Sequence, residues 1–462
     1  NLWDDKKSIY IYGAGSLGIY ISENIELFLK GYKVSFFIDD DLYKRGRTIN
    51  NIPIISFSEF KKNFKKNNIN EVILAIKNID SLTKKNILYY LNSKNFKIID
   101  GLDFLNKKNK NLSQINKNID KFNNYKFNID TEKEIKYWIK NKTVLVTGCG
   151  GSIGKELCLQ ILRHEVKFLI CLDYDEHRIS IFNQSISNFI TKNLQKKIFI
   201  KIIDLKNFSD LEDIVKKHRP DIIFHAAASK HVDLIEKNPE FGVKNNLSTT
   251  YNILELSRRY KTKNFIFIST DKAVNPKNYL GLSKSACEIM VKIYGKFLKN
   301  YKYCSVRFGN VLGSSGSLVE IITNQIRNGN PVTITHPKAT RYFMSISDAI
   351  KLTLRSSTIL MSNQIAILDM GKPVNINKFV KEIISNYDYL DNFNQKIKIN
   401  YIGLRKGEKL HEELYYPKYS KKLKNEKIYL ETRPTRKSMS DIKKLLSQVK
   451  KNNFKNNFIK KK

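Results

Sequence analysis

Residues 142–173 read as strand, glycine turn, helix, strand and acid, an order that few folds other than a parallel α/β sheet accommodate. Lys142 to Val146 is a β-run, Thr147-Gly148-Cys149-Gly150-Gly151-Ser152-Ile153-Gly154 opens a helix reaching His164, and Phe168 to Leu172 leads into Asp173. Glycines at 148, 151 and 154 let the turn tighten and bring bare amides at a helix N-terminus to a pyrophosphate. An acid about 20 residues beyond such a turn binds the adenosine ribose diol. Gly148, Gly151, Ser152, Ile153, Gly154 and Asp173 are therefore expected to hold a dinucleotide. Asp173 favours NAD over NADP because a carboxylate repels a 2′-phosphate, with Arg178 nearby as an opposing charge.

A weaker form of the pattern comes first. Ser8 to Gly18 is a β-run followed by Gly13-Ala14-Gly15-Ser16-Leu17-Gly18, and Val34 to Ile38 runs into Asp39-Asp40-Asp41. No acid/base pair follows at a strand end, so a nucleotide site and a retained fold with regulatory or assembly use both stay open. The expected fold class is α/β, with two Rossmann-like doubly wound parallel-sheet domains, the second carrying a C-terminal substrate-binding subdomain. The expected divisions are 1–105, a Lys/Asn-rich linker over 106–140 ending in a helix near Glu132 to Ile139, a catalytic domain over 141–435, and a basic tail over 436–462 with one helix, Ser438 to Lys450.

Within the second domain the strand Ile198 to Ile203 ends in Asp204 and Leu205, placed to border an adenine. The strand Asp221 to Phe224 runs into His225, read as a packed histidine, and then Ala226-Ala227-Ala228, small enough for the backbone to pass beneath a cofactor. Lys230 and His231 follow at the same edge; Asn245 and Asn246 read equally as surface or strand-bridging amides. The next strand, Asn264 to Ile268, ends in Thr270, Asp271 and Lys272, a hydroxyl, an acid and a base where an open α/β sheet binds ligands. A Pro/Asn turn and a helix with Lys284 follow. Beyond Tyr303 to Arg307, Phe308 leads into a Gly/Ser loop containing Asn310 and Ser317 and suited to phosphate or sugar hydroxyls. Thr333, Thr335 and Arg341 come next, and Arg405 near Glu408 is placed to pair with a diphosphate.

Lys+Arg number 82 against 44 Asp+Glu, a net charge of +38, but the lysines are spread through every segment beside Asn and Ile. That spread reads as compositional bias with no nucleic-acid partner, although a positive field attracts an anionic nucleotide sugar. The five cysteines stand singly, without metal-ligand spacing, and read as reduced thiols of a cytoplasmic protein with no metal.

The blocks TGCGGSIG, HAAASKHV, STDKAVNPKNYLGLSK, VRFGNVLGSSGS, PVTITHPKATRYF and RKGEKLHEEL resemble the UDP-N-acetylglucosamine 4,6-dehydratase family of extended short-chain dehydrogenase/reductases, over about residues 130–435. The GAGSLG region is similar to the extra Rossmann-like domain of the large, membrane-anchored members. Those carry preceding transmembrane helices, so a start at Asn1 is expected to lack an anchor on the cytoplasmic face of the inner membrane; a homo-oligomer is also expected.

The resemblance implies a redox-neutral elimination in which NAD+ takes hydride from sugar C4, a base removes the C5 proton, water leaves from C6 and the hydride returns there. Lys272 aligns with the C5 base, Asp271 with the acid at the C6 hydroxyl and Thr270 with the hydroxyl bonding the C4 oxygen. Lysine beside a cofactor cation and an apolar wall is expected to deprotonate more easily. Lys284 matches the active-site lysine shared with the cofactor, and Leu280 stands where ordinary members carry Tyr, as the large members carry an apolar residue. Tyr279, one helical step away, is expected to point elsewhere. Lys277 and Lys406 depart from the usual Thr and Pro. The subgroup implies retained C5 configuration. Two rival functions are a UDP-sugar 4-epimerase, which needs no C5/C6 acid–base pair, and a catalytically silent Rossmann scaffold or sensor, for which Leu280 argues.

Overall fold

The computed structural model describes residues 7–101 and 129–450, apart from 24, 30, 42–43, 64–70, 77–80, 188–191, 299, 315, 328–329, 392–396 and 425. The expected linker over 106–128, Ser315 of the Gly/Ser loop and the tail beyond 450 lie outside these residues. The chain divides into two compact units, 1–117 and 118–462.

The first unit is built on Lys7–Tyr12, the strand whose alternation is clearest. Ile9 and Ile11 enter one core cluster, and Tyr10 and Tyr12 enter another on the opposite face. That period-two pattern, apolar on both sides, is what a central parallel strand covered by helices requires. Strands 48–49, 52–55, 32–38, 7–12, 71–74 and 97–100 form its sheet in that spatial order, parallel except for the first pair.

The second unit contains a nine-stranded sheet ordered 420–422, 428–431, 365–368, 302–308, 264–270, 222–225, 143–147, 168–173, 198–202. The last seven are mutually parallel; the first two add antiparallel strands at one edge. Alternation again feeds two clusters: Val144, Val146, Ile222, Phe224, Ile266 and Ile268 on one face, Leu145, Ile170, Ile223, Phe265 and Phe267 on the other. The strand order reverses between 143–147 and 222–225, and the carboxyl ends of two strands that diverge there form the crevice where such sheets bind ligands. Small pairings lie outside this sheet: 310–312 with 343–345, 332–334 with 399–401, and 340–341 with 374–375.

Two helices expected from the sequence in the linker and the tail are present and pack into the second unit's core. The helix Ile129–Ile139 buries Ile135 and Ile139 in the second unit's core, so it belongs to that unit and not to a linker. The helix expected at Ser438 to Lys450 runs over Met439–Lys450 and buries Ile442, Leu445 and Val449, so this part of 436–462 packs on the core and is not a tail. Their spacing makes an apolar stripe, and sequestering it from water outweighs the basic composition of the other face. All five cysteines are buried and unpaired, with Cys158 Sγ and Cys171 Sγ 3.7 Å apart. Among the described residues no helix is long and apolar enough to cross a membrane, and no group of His, Cys, Asp and Glu is arranged for a metal.

Candidate active site

The glycine turn closes onto the neighbouring strand end. Gly148 has φ +73°, and a Cβ there would lie 2.7 Å from Ala227 N; one at Gly154 would lie 2.0 Å from Gly148 O. Only glycine permits this approach of the helix Ser152–Leu162 to the turn, which leaves the amides of Ser152 and Ile153 at an end whose Gly151 cap makes no side-chain bond. Asp173 is buried; its Oδ2 accepts from Gly150 N at 2.9 Å and its Oδ1 from Tyr174 N at 2.8 Å. The acid thus braces the turn as well as standing at the strand end. Arg178 is half-exposed and paired with Asp175 at 3.3 Å. Asp204 is paired with Lys206 at 3.2 Å, while Leu205 is buried. These residues fit an adenine dinucleotide: a cradle that a Cβ would fill, an acid at the second strand and the Ala226–Ala228 segment beside them. Gly154→Ala is expected to destabilise the protein by about 3 kcal/mol and abolish NAD binding, measured by urea denaturation and nucleotide titration.

His225 is wholly buried between Thr147 Oγ1 at 2.7 Å and Thr250 Oγ1 at 3.0 Å, and burial, reinforced by Lys284, pushes its pKa down to about 3. It is a packed neutral ring, as the sequence suggested. Asn246 bridges elements: its Oδ1 accepts from Ser229 N at 2.7 Å and its Nδ2 donates to Ser283 Oγ at 3.0 Å. Asn245 donates to Ser229 Oγ at 3.0 Å.

The acid–base group forms where Asn264–Thr270 ends in a single 3₁₀ turn, Asp271–Ala273, capped by Thr270. Thr270 Oγ1 donates to Asp271 Oδ1 at 2.8 Å, and Lys272 Nζ donates to the same oxygen at 3.0 Å and to Asn310 Oδ1 at 3.4 Å. Asp271 is fully buried, and its Oδ2 has no hydrogen-bond partner among the described residues. A Cβ on Gly309 would approach that oxygen to 3.0 Å, so a glycine here keeps its surroundings open. Burial lowers the Lys272 pKa, but Asp271 and Glu412 outweigh it and hold it above the ordinary lysine value. This corrects the expectation of easier deprotonation: apolar walls do favour the neutral amine, but two adjacent carboxylates favour the ammonium more.

The following helix, Tyr279–Phe297, starts tightly against this turn, since a Cβ on Gly281 would lie 2.1 Å from Lys272 O. Asn278 caps it by accepting from Gly281 N at 2.7 Å. Lys284 is buried, donates to Ile268 O at 2.8 Å and lies 4.4 Å from the centre of the Phe267 ring; burial lowers its pKa to about 8. Leu280 is buried, and Tyr279 packs against the hydrophobic cluster containing Phe265 and Phe267. Phe308 is buried in register with Thr270.

A second polar group gathers on Glu408. Its Oε1 accepts from Thr335 Oγ1 at 2.9 Å and from Arg341 Nη2 at 2.5 Å, and its Oε2 accepts from Arg405 N at 3.2 Å. The structure therefore joins Thr335, Arg341, Arg405 and Glu408. Thr333 is held apart by Gln325, with Thr333 Oγ1 accepting at 2.7 Å, and Ser317 Oγ accepts from Glu320 N in the first turn of the helix Leu318–Arg327. Lys230 and His231 are exposed, and a Cβ on Gly316 would meet His231 Cε1 at 2.9 Å. Sequence reasoning missed Glu412, a buried carboxylate 3.8 Å from Lys272 Nζ, although the doubled acid in the run Lys409-Leu410-His411-Glu412-Glu413 carried a signal.

The profile of a family described as "Polysaccharide biosynthesis protein" matches residues 144–433. The probable polysaccharide biosynthesis protein EpsC of Bacillus subtilis is 38% identical over 384 residues, covering 82% of this chain and 63% of the relative, so the chain spans less than two thirds of that protein's length. A UDP-glucose 4-epimerase of Rickettsia bellii is 31% identical over 280 residues, covering 59% of this chain and 77% of that one. Among solved structures, Pen from Bacillus thuringiensis superposes with a TM-score of 0.59 at 29% identity, covering 65% of this chain and 90% of its own. With the glycine turn, the strand-end acid and base and the C-terminal pairings all inside the matched region, the chain belongs to the polysaccharide biosynthesis protein family.

Proposed function

We propose that this chain is an NAD-dependent UDP-N-acetylglucosamine 4,6-dehydratase that yields a UDP-4-keto-6-deoxy-N-acetylhexosamine with C5 configuration retained. The observation that carries this reading is the hydrogen-bonded Thr270–Asp271–Lys272 group, built on the fully buried Asp271, at the carboxyl end of a central strand in the same sheet as the dinucleotide turn. NAD, when bound, supplies the temporary oxidation at sugar C4, and Gly148, Gly151, Gly154, Asp173 and the Ala226–Ala228 segment would hold it. Lys272, after passing one proton along its 3.0 Å hydrogen bond to Asp271, removes the proton from C5 as the neutral amine once C4 is a ketone. Asp271 protonates the departing C6 hydroxyl, using the side whose Oδ2 has no hydrogen bond from the described residues. Thr270 bonds the C4 oxygen. Lys284, fixed on Ile268 O, holds a positive charge behind the site. Arg341, Arg405 and Glu408 form the polar group offered to the UDP portion.

A UDP-sugar 4-epimerase is the second reading, supported by the Rickettsia bellii relative. It needs only oxidation and return at C4, and so leaves the Asp271–Lys272 pair without a task. Incubation with NAD and UDP-N-acetylglucosamine separates the readings: proton NMR of a 4-keto-6-deoxy sugar supports the dehydratase, UDP-N-acetylgalactosamine supports the epimerase, and neither product sinks both. Inversion at C5 in the product would overturn the stereochemical part. Tyr279→Phe is expected to leave turnover nearly unchanged, because Tyr279 packs against the sheet cluster; a large fall in kcat would assign it a role at C4.

A further inference from the structure

Glu412 is delivered to the active-site strand end by a segment remote in sequence. A parallel bridge between Thr340 and His411 fixes the backbone beside it, and Leu410 O accepts from Thr340 N at 3.0 Å and from Arg341 Nη1 at 3.2 Å. The Glu412 side chain is 3% exposed, with Oε1 3.8 Å from Lys272 Nζ and Oε2 3.8 Å from Lys409 Nζ. Lys409 is itself committed, donating to Val274 O at 2.7 Å. Glu412 Oε2 has no hydrogen-bond partner among the described residues. A buried carboxylate served only by ion contacts of this length costs stability, so its presence beside an acid and a base marks a functional constraint. Burial, opposed by Lys272 and reinforced by Asp271, raises its pKa.

We propose that Glu412 is a positioning residue for Lys272, holding the amine together with Asp271 so that two buried carboxylates share one ammonium. The groups facing Lys272 are then Asp271 and Thr270 at the strand end, Asn310 from the adjoining loop, Arg341 from the strand Thr340–Arg341, and Glu412, with Lys409 behind Glu412. Asp271 anchors the amine by a hydrogen bond, and Glu412 adds charge without one. Removing that charge should release the Lys272 proton at lower pH, because a neighbouring anion favours the ammonium. The proposal rests on the reading of Lys272 as the base of the dehydratase.

The test compares the wild type with Glu412→Gln and Glu412→Asp in two measurements. One is the pH profile of kcat/KM with NAD and UDP-N-acetylglucosamine; the other is the pH dependence of Lys272 acetylation by acetic anhydride, followed by peptide mass spectrometry. In Glu412→Gln, both midpoints are expected to fall by about one pH unit or more, with KM little changed, and Glu412→Asp should restore them. A Glu412→Gln midpoint equal to that of the wild type overturns the proposal, however much the amplitude drops. Absence of wild-type turnover defeats the dehydratase reading instead, while the acetylation midpoint still decides whether Glu412 acts on Lys272. Should Glu412→Gln fail to fold, Glu412→Met removes the charge at similar volume and is judged by the same midpoints.

Discussion

Lys272→Ala is expected to lower kcat for UDP-N-acetylglucosamine by about 10³-fold, the scale of a lost general base, with KM little affected. The amine is the basic group hydrogen-bonded within the strand-end cluster, 3.0 Å from Asp271 and 3.4 Å from Asn310. Its side chain is 18% exposed, so water can reach the carboxylates it leaves behind, and the stability cost should stay near 1–2 kcal/mol. Lys272→Arg makes the stricter comparison. Arginine keeps the positive charge between Asp271 and Glu412 but does not release a proton near neutral pH, so the fold should survive with activity equally low. Steady-state kinetics with a thermal melt on both variants check this. Substantial turnover by Lys272→Arg would remove Lys272 as the base and leave it an electrostatic role.

Arg307→Met should cause the largest loss of stability, about 3–5 kcal/mol. Arg307 is wholly buried. It donates to Glu288 through Nε at 3.0 Å and Nη2 at 2.7 Å, and to Glu431 through Nη1 at 2.8 Å. Burial raises the Glu288 pKa, but Arg307, Ser269 and Lys292 outweigh it and hold it below the ordinary value. A carboxylate with a depressed folded pKa contributes stability above its unfolded pKa and loses it as pH falls. Without Arg307 that depression disappears and Glu288 favours its neutral form, so the deficit of the variant should be greatest at neutral pH and shrink as pH falls. Glu431 keeps Lys292 at 3.8 Å and Arg433 at 3.5 Å, which points to Glu288 as the main source of the effect. Urea denaturation at pH 7.5 and pH 5 measures it, and a deficit independent of pH would show that lost packing, not the stranded charge, dominates.

Arg307 also shows how far sequence reading reaches. From the chain it was only the last residue of a strand ahead of the Gly/Ser loop; in the fold it points into an ion network that ties the helix Tyr279–Phe297 to the strand Ile428–Glu431. Alternation along a strand says which residues share a face, but not which distant acids meet them there. Ser317 and Thr333 failed to join Glu408 for a related reason. Each had a nearer partner, Glu320 N and Gln325 respectively, and short-range capping or pairing satisfies a hydroxyl before a remote cluster can. The helix Met439–Lys450 was legible in the chain as Ser438 to Lys450, but that Ile442, Leu445 and Val449 carry it into the core was not.

Local order along the chain was enough to determine the α/β class, both glycine turns, Asp173 at the end of the next strand and the placing of Thr270, Asp271, Lys272 and Lys284 at one sheet edge. Each depends on steric rules acting within a strand–turn–helix unit: a positive φ at Gly148, the close approach of Gly154 and the period-two burial of Val144 and Val146. Tertiary structure alone decided what surrounds Lys272. Glu412 reaches it because a single bridge at Thr340 and His411 fixes a segment far along the chain, and the charge it brings reverses the protonation that burial by itself would favour. Coulomb interactions follow distance in space, which pairing between remote segments sets and sequence separation does not.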